Sequence, residues 1–195
     1  MTTADRAQVA TGAGRAPGFL SPVHYAERTR YRRPPRGYLR LQWLGPLLTR
    51  LGLSPGYVVT LEVPGRRSGL IRCTTLARAS WHGRQYLVAL AGESEWVRNV
   101  RAAGGRVVLA RGGRRRGATL VELAAAERAP VIRAYMLRPG RRPGSRAVAK
   151  EARYVFGVGP DASEPEIAAV AEHYPVFEIR YVGAQSAVSR TRGRP

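Results

Sequence analysis

Residues 58–76, read as VVTLEVPGRRSGLIRCTTL, constrain this chain more than any other stretch. Tyr57, Val59, Leu61 and Val63 alternate with Val58, Thr60 and Glu62, the period-two pattern of a half-buried strand. Pro64 has no N–H to give a ladder and ends it. Gly65 and Gly69 then bracket Arg66, Arg67 and Ser68, and a second strand is predicted over 71–80, with Arg72 near its start. A strand that turns on glycines straight into another strand is a hairpin. The dinucleotide fingerprint and the Walker loop both need a helix after their glycines, so both are excluded. Two guanidinium forks, a hydroxyl and outward-pointing amides at such a turn suit a phosphate or carboxylate. The same residues also suit an ordinary hairpin tip with solvated arginines.

The rest of the chain continues the hairpin grammar. A His82-Gly83 turn leads to a strand over 84–91 with Tyr86, Val88 and Leu90 on one face. Gly92, Glu93 and Ser94 open a helix through 103, stopped by Gly104-Gly105. Strands over 106–111 and 114–123 flank Gly112-Gly113. Composition predicts a helix over 124–137 containing Pro130, a basic Pro/Gly loop over 138–146, a short element over 154–158, a helix over 164–173 and a strand over 176–182. Short hairpin-linked strands interrupted by helices describe an α+β antiparallel barrel rather than a parallel doubly wound sheet.

At 195 residues the chain suits a single domain, expected over 36–182, with a basic arm over 1–35 and a tail over 183–195. Between them, leucines at three- and four-residue steps over 37–53 fit a helix packed across the barrel or one lying on a membrane surface, with Pro46 interrupting it. The formal charge of +20 comes almost wholly from arginine, since Lys150 is the single lysine, and it favours anionic partners. No apolar run is long enough to span a bilayer and the N-terminus lacks a signal-peptide core, so a cytoplasmic protein is expected, with a peripheral membrane contact left open. The lone Cys73 cannot staple the fold and is expected to be a buried, inert thiol. His24, His82 and His173 show no metal-ligand spacing, so no metal is expected.

The sequence LEVPGRRSGLIRCTTL, followed about twenty residues later by EWVRNVRAAG, resembles the deazaflavin-dependent nitroreductase family of actinobacteria. The resemblance implies a split β-barrel that binds the 8-hydroxy-5-deazaflavin coenzyme F-420. It assigns the phosphate and acidic tail to Arg66, Arg67, Ser68, Gly69 and Arg72. It places the deazaflavin ring against the backbone of Cys73, Thr74 and Thr75, with Leu90, Ala91 and Gly92 continuing the wall and Trp96 and Asn99 closing over it. On their own residues, Trp96 also reads as a core aromatic and Asn99 as a cap. The chain departs from the family pattern at Ile71 and Thr75, where prolines are usual, and in the segment MLRPGRRPGSRAVAKEARYVFGVG, which replaces a tyrosine-rich region.

A hydride carrier supplies its own chemistry, so the protein has to bind it, orient its reactive carbon and exclude water. The expected activity is hydride transfer to an apolar, electron-poor acceptor such as a quinone or nitroaromatic. Tyr135 is the first choice for a proton donor, with Tyr154 and Tyr174 as alternatives. Two other readings stay open. One is a flavin mononucleotide (FMN) or haem binder on the same barrel. The other is a nucleic-acid or membrane-surface module using the arginines of 106–116 and 138–146, where the scarcity of aromatics argues against specific nucleic-acid binding.

Overall fold

The computed structural model describes residues 47–49 and 51–183. The expected arm over 1–35, nearly all of the expected tail and most of the expected helix over 37–53 lie outside the described residues. Within that helix Leu47, Leu48 and Thr49 are helical.

Six strands close into one antiparallel barrel in the order β1-β2-β3-β6-β5-β4. β1 (Val58–Pro64) and β2 (Ile71–Trp81) pair in an unbroken register, from Val58 opposite Ala77 to Pro64 opposite Ile71. His82 and Gly83 both take positive φ, 46° and 72°, so a two-residue turn of matching twist delivers β3 (Arg84–Val88). Gly112 and Gly113 do the same between β4 (Arg106–Arg111) and β5 (Arg114–Glu122). β6 (Val176–Tyr181) slots between β3 and β5 and closes the ring. The strand expected to reach residue 91 ends at Val88, because the Ala89 N–H donates to the Pro175 carbonyl at 2.9 Å and the chain turns at Leu90.

Directly opposed residues of an antiparallel pair share a face, so the alternation read in β1 becomes an interior. Val59, Leu61, Val63, Leu87, Leu109, Leu120 and Phe177 fill the barrel. Helix α1 (Glu95–Ala102) covers one end of it, adding Trp96, Val97 and Val100 to the same cluster. Its exit requires a glycine. Gly105 has φ 78°, a Cβ there would fall on the Leu120 carbonyl oxygen, and the Leu120 N–H donates to the Gly105 carbonyl at 2.8 Å.

A second apolar layer lies outside the barrel. α2 (Arg128–Met136), α3 (Arg146–Phe156) and α4 (Glu164–Ala171) bring Ile132, Tyr135, Phe156 and Ile167 against Ala79, Tyr86, Val88 and Val176. Pro130 stands in the first turn of α2, where its missing N–H would have no intrahelical partner anyway. α4 begins with a capping box in which Ser163 and Glu166 bond reciprocally. The short element expected over 154–158 is corrected: α3 runs unbroken from Arg146 and buries Val148, Ala152 and Phe156, a stripe at four-residue steps, before Gly157 ends it at φ 81°.

Candidate functional site

The arginine turn is closed by its own backbone. The Gly65 N–H donates to the Leu70 carbonyl at 2.8 Å, and the Ser68 and Gly69 N–H groups donate to the Gly65 carbonyl at 3.2 and 2.8 Å. Those two amides therefore point inward, which corrects the expectation of an outward amide cradle at Ser68 and Gly69; the anion-binding groups the turn offers are side chains. Gly69 holds φ 68°, and a Cβ on Gly65 would lie 3.2 Å from both the Leu70 carbonyl oxygen and Ser68 Oγ, and 3.4 Å from Arg72 Cγ. Arg72 thus folds back across the turn into space that glycine leaves.

α1 grips this turn from the side. The Asn99 amide, only 5% exposed, accepts through Oδ1 from the Arg66 backbone N–H at 3.2 Å and from Arg66 Nη1 at 3.1 Å. Glu95, one turn earlier on the same helix face, takes the Arg66 fork in bidentate fashion, Nη1 to Oε2 at 2.6 Å and Nη2 to Oε1 at 3.3 Å. Arg98 stands 3.5 Å from the same carboxylate. The hydrogen bond from Arg66 holds the Glu95 carboxyl below the usual carboxylate range; burial opposes it, and the charges of Arg66, Arg98 and Arg67 add to it. Residues 67–73 form a continuous exposed run, and neither the Arg67 nor the Arg72 guanidinium forms an ion pair with another described residue.

Register places Arg72 opposite Val63 and Thr74 opposite Leu61, on the interior side at the barrel's mouth, while Cys73 and Thr75 oppose Glu62 and Thr60 on the outer face. Cys73 is exposed, not buried as expected. The helical layer packs on β2 only from Ala77 onward, and alternation leaves the thiol beyond its edge. The hydroxyls of Thr75 and Thr60 are buried without a hydrogen-bond partner among the described residues. Leu90 is exposed, Ala91 half-buried and Gly92 buried at φ 64°, and this bend leads directly into Ser94, the N-cap of α1.

Two expected site residues are buried. Trp96 is 8% exposed with its ring 5.5 Å from that of Phe177, so the indole is a core aromatic of the barrel rather than an open surface. Tyr135 is 5% exposed in the outer layer, 6.1 Å from the Phe156 ring, under the Arg138 guanidinium. That guanidinium also reaches the ring of Tyr57, which precedes β1 at the end opposite Gly65, roughly 20 Å away along the strand. The Tyr135 phenol therefore stands apart from the turn. The alternative Tyr174 hydroxyl donates to the Val155 carbonyl at 2.5 Å inside the same layer.

Glu95 and Arg98 were not singled out from the sequence, although an acid four residues before Asn99 on a predicted helix is a readable signal. Much of the remaining basic charge is engaged internally. Arg115 pairs with Glu62, Arg116 lies 4.3 Å over the Tyr181 ring, Arg111 donates to the Ser54 carbonyl, and Arg138 and Arg141 share Glu151. Among the described residues no cluster of His, Cys, Asp or Glu could hold a metal ion, and no helix is long and apolar enough to cross a membrane.

The stretch that carries the arginine turn, α1 and α2 is also the stretch that matches a known family: residues 44–139 fit the model of the F-420H(2)-dependent quinone reductases. Through that stretch, just under half of its length, the chain is similar to the family. This F-420-dependent quinone reductase relative is accordingly an oxidoreductase, and its coenzyme is the deazaflavin F-420. Solved structures similar to it include the F-420-H2 dependent reductase FDR-A (19% identity, 64% of this chain and 95% of that one, TM-score 0.34). A conserved hypothetical protein from Mycobacterium tuberculosis aligns at 13% identity over 80% of this chain and 84% of its own, TM-score 0.39. A heme binding protein from Mycobacterium smegmatis aligns at 15% identity over 80% and 57%, TM-score 0.31. No curated protein matches the chain.

The residues present fit such a coenzyme. Arg67 and Arg72 are exposed cations at a turn whose glycine leaves no Cβ in the way, which suits a phosphate and a carboxylate tail. Beside them the end of β2 over residues 71–73 is exposed, which leaves room for the rest of such a coenzyme.

Proposed function

We propose that the protein binds reduced coenzyme F-420 at the arginine turn and passes a hydride to an apolar, electron-poor acceptor such as a quinone or nitroaromatic. The observation that carries this reading is the clasp of α1 on the turn, through Asn99 and Glu95, with Arg67 and Arg72 left exposed. When bound, the coenzyme supplies the hydride; the protein supplies place and orientation. Arg67 and Arg72 hold the acidic tail, with Arg66 and the Ser68 hydroxyl beside them. The β2 backbone at Cys73, Thr74 and Thr75 and the bend at Leu90, Ala91 and Gly92 flank the ring. Asn99 acts one step back, fixing Arg66 and hence the turn. A fluorescence titration of the purified protein with the coenzyme tests the reading. Saturable quenching is expected, and no change up to tens of micromolar would overturn it.

An apolar acceptor also favours a lipid contact. Leu47, Leu48, Leu51 and Leu53 are all exposed, and the Gly112 N–H donates to the Thr49 carbonyl, which sets them beside the arginine-bearing tip at Arg114 and Arg115. Leucines rimmed by arginines suit an anionic bilayer, whereas a second copy of a chain with net charge +20 would be repelled. Co-sedimentation with vesicles containing anionic lipid, absent with neutral ones and lost on Leu51→Ser with Leu53→Ser, is the expected result.

A further inference from the structure

The arginine cluster already holds an anion, and the anion belongs to the protein. One Glu95 carboxylate takes both terminal nitrogens of Arg66, stands 3.5 Å from Arg98 and feels the charge of Arg67. The two partners of the bidentate pair are unequally fixed. Arg66 is tied to Asn99 through both its backbone N–H and its guanidinium, and its side chain is 22% exposed. Glu95 is 67% exposed in the first turn of α1, so it is the member that can swing away. Arg98, three residues along the same helix and already beside the carboxylate, can receive it when it does.

We infer that Glu95 is a built-in stand-in for the coenzyme's anion, occupying the Arg66 fork in the free protein and moving to Arg98 when a phosphate or carboxylate of the ligand takes its place. This rests on the function proposed above. Its consequence is selectivity: an incoming group must outcompete a resident carboxylate, which a multiply charged tail does and a singly charged ligand does not. Arg66 is thereby a latent ligand, silent until the stand-in leaves.

The test compares wild type, Glu95→Gln and, as a control for general charge, Glu172→Gln, an exposed carboxylate on another surface. Inorganic pyrophosphate binding is measured by calorimetry and coenzyme binding by fluorescence. Glu95→Gln should bind both about threefold tighter, the scale of an exposed ion pair that no longer has to be opened, while Glu172→Gln matches wild type. Equal or weaker binding by Glu95→Gln overturns the inference, as does an equal gain in Glu172→Gln. Coenzyme bound alike by wild type and Glu95→Gln sinks the stand-in but keeps the proposed function. A gain seen with pyrophosphate while the coenzyme binds neither protein keeps the stand-in as an anion seat and sinks the proposed function. Binding of neither ligand to any variant sinks both.

Discussion

The mouth of the barrel and the helical layer on its outer wall are built from opposite materials. At the mouth, contacts between distant parts of the chain are polar: Arg66 meets Glu95 and Asn99 through charge-assisted and amide hydrogen bonds. In the layer they are apolar and aromatic: Phe156 lies 4.9 Å from Tyr174 and 6.1 Å from Tyr135, ring to ring. Apolar contacts are non-directional and serve wherever the chain only has to stay folded. Hydrogen bonds with a fixed geometry serve where a guanidinium has to be aimed. The division predicts that stability and ligand binding can be broken separately.

The largest expected effect falls on the layer. Phe156 is 2% exposed and central to its cluster, so Phe156→Ala should cost about 3–5 kcal/mol, from lost burial plus the cavity left behind. Denaturant unfolding measures this, and the protein that remains folded should bind the coenzyme as wild type does. A matching loss of affinity in the folded fraction would show that the layer shapes the site after all. The mirror experiment removes Arg67 and Arg72 together. Both are exposed, so the melting temperature should hold, while coenzyme affinity should fall by roughly tenfold for each charged hydrogen bond lost. Unchanged affinity would leave the division without its functional half.

How much of this could be read in the sequence follows the same line. The strand pattern of residues 57–63, the glycine turn and the I′ hairpins at His82-Gly83 and Gly112-Gly113 are local, and each predicted a real element because period and turn chemistry act over a few residues. Cys73 was misplaced because alternation tells which face a residue takes, not which stretch of that face a helix will cover. α3 was lost for a different reason. Its stripe of Val148, Ala152 and Phe156 is correctly spaced, but Arg146, Lys150, Glu151 and Arg153 fill the positions between and a Pro/Gly loop precedes it, so only a short element over 154–158 was expected there. The clasp of Arg66 by Glu95 and Asn99 spans separations of 29 and 33 residues, and the closure of the barrel by β6 is longer range still. Such pairings are set by the assembled fold. Family resemblance found Asn99, and the geometry adds that its amide oxygen holds the turn.

Asn99→Ala therefore sits on the border between the two regions. The amide is buried, yet the groups it serves lie at a surface where water can replace it, so a loss of about 1 kcal/mol in stability is expected. Coenzyme affinity should weaken by less than in the double arginine variant, since Arg67 and Arg72 remain. Asn99→Asp should restore the hydrogen bonds to Arg66 and with them the stability. Failure of that rescue would mean that Asn99 matters for packing beside Trp96 rather than for holding Arg66.

The smallest effect is a pH dependence confined to the mouth. Hydrogen bonding from Arg66 depresses the folded-state pKa of Glu95 relative to its ordinary value. A carboxylate with a depressed pKa stabilises the fold fully above its unfolded pKa, and the contribution is lost as pH falls through the lower folded value. Between neutral pH and the ordinary carboxylate range the clasp should thus be constant, and below that range the Arg66 amide and guanidinium should exchange faster while amides of the outer layer do not follow. Hydrogen exchange resolved by residue reads this directly, and Glu95→Gln should abolish the step. The layer supplies its own contrast, because Glu166 is likewise held down, chiefly by the Ser163 hydroxyl. Its titration should loosen the start of α4 and leave Arg66 untouched. If instead both sites respond as one, the mouth and the layer form a single cooperative unit at acid pH, and the separation of holding from aiming ends there.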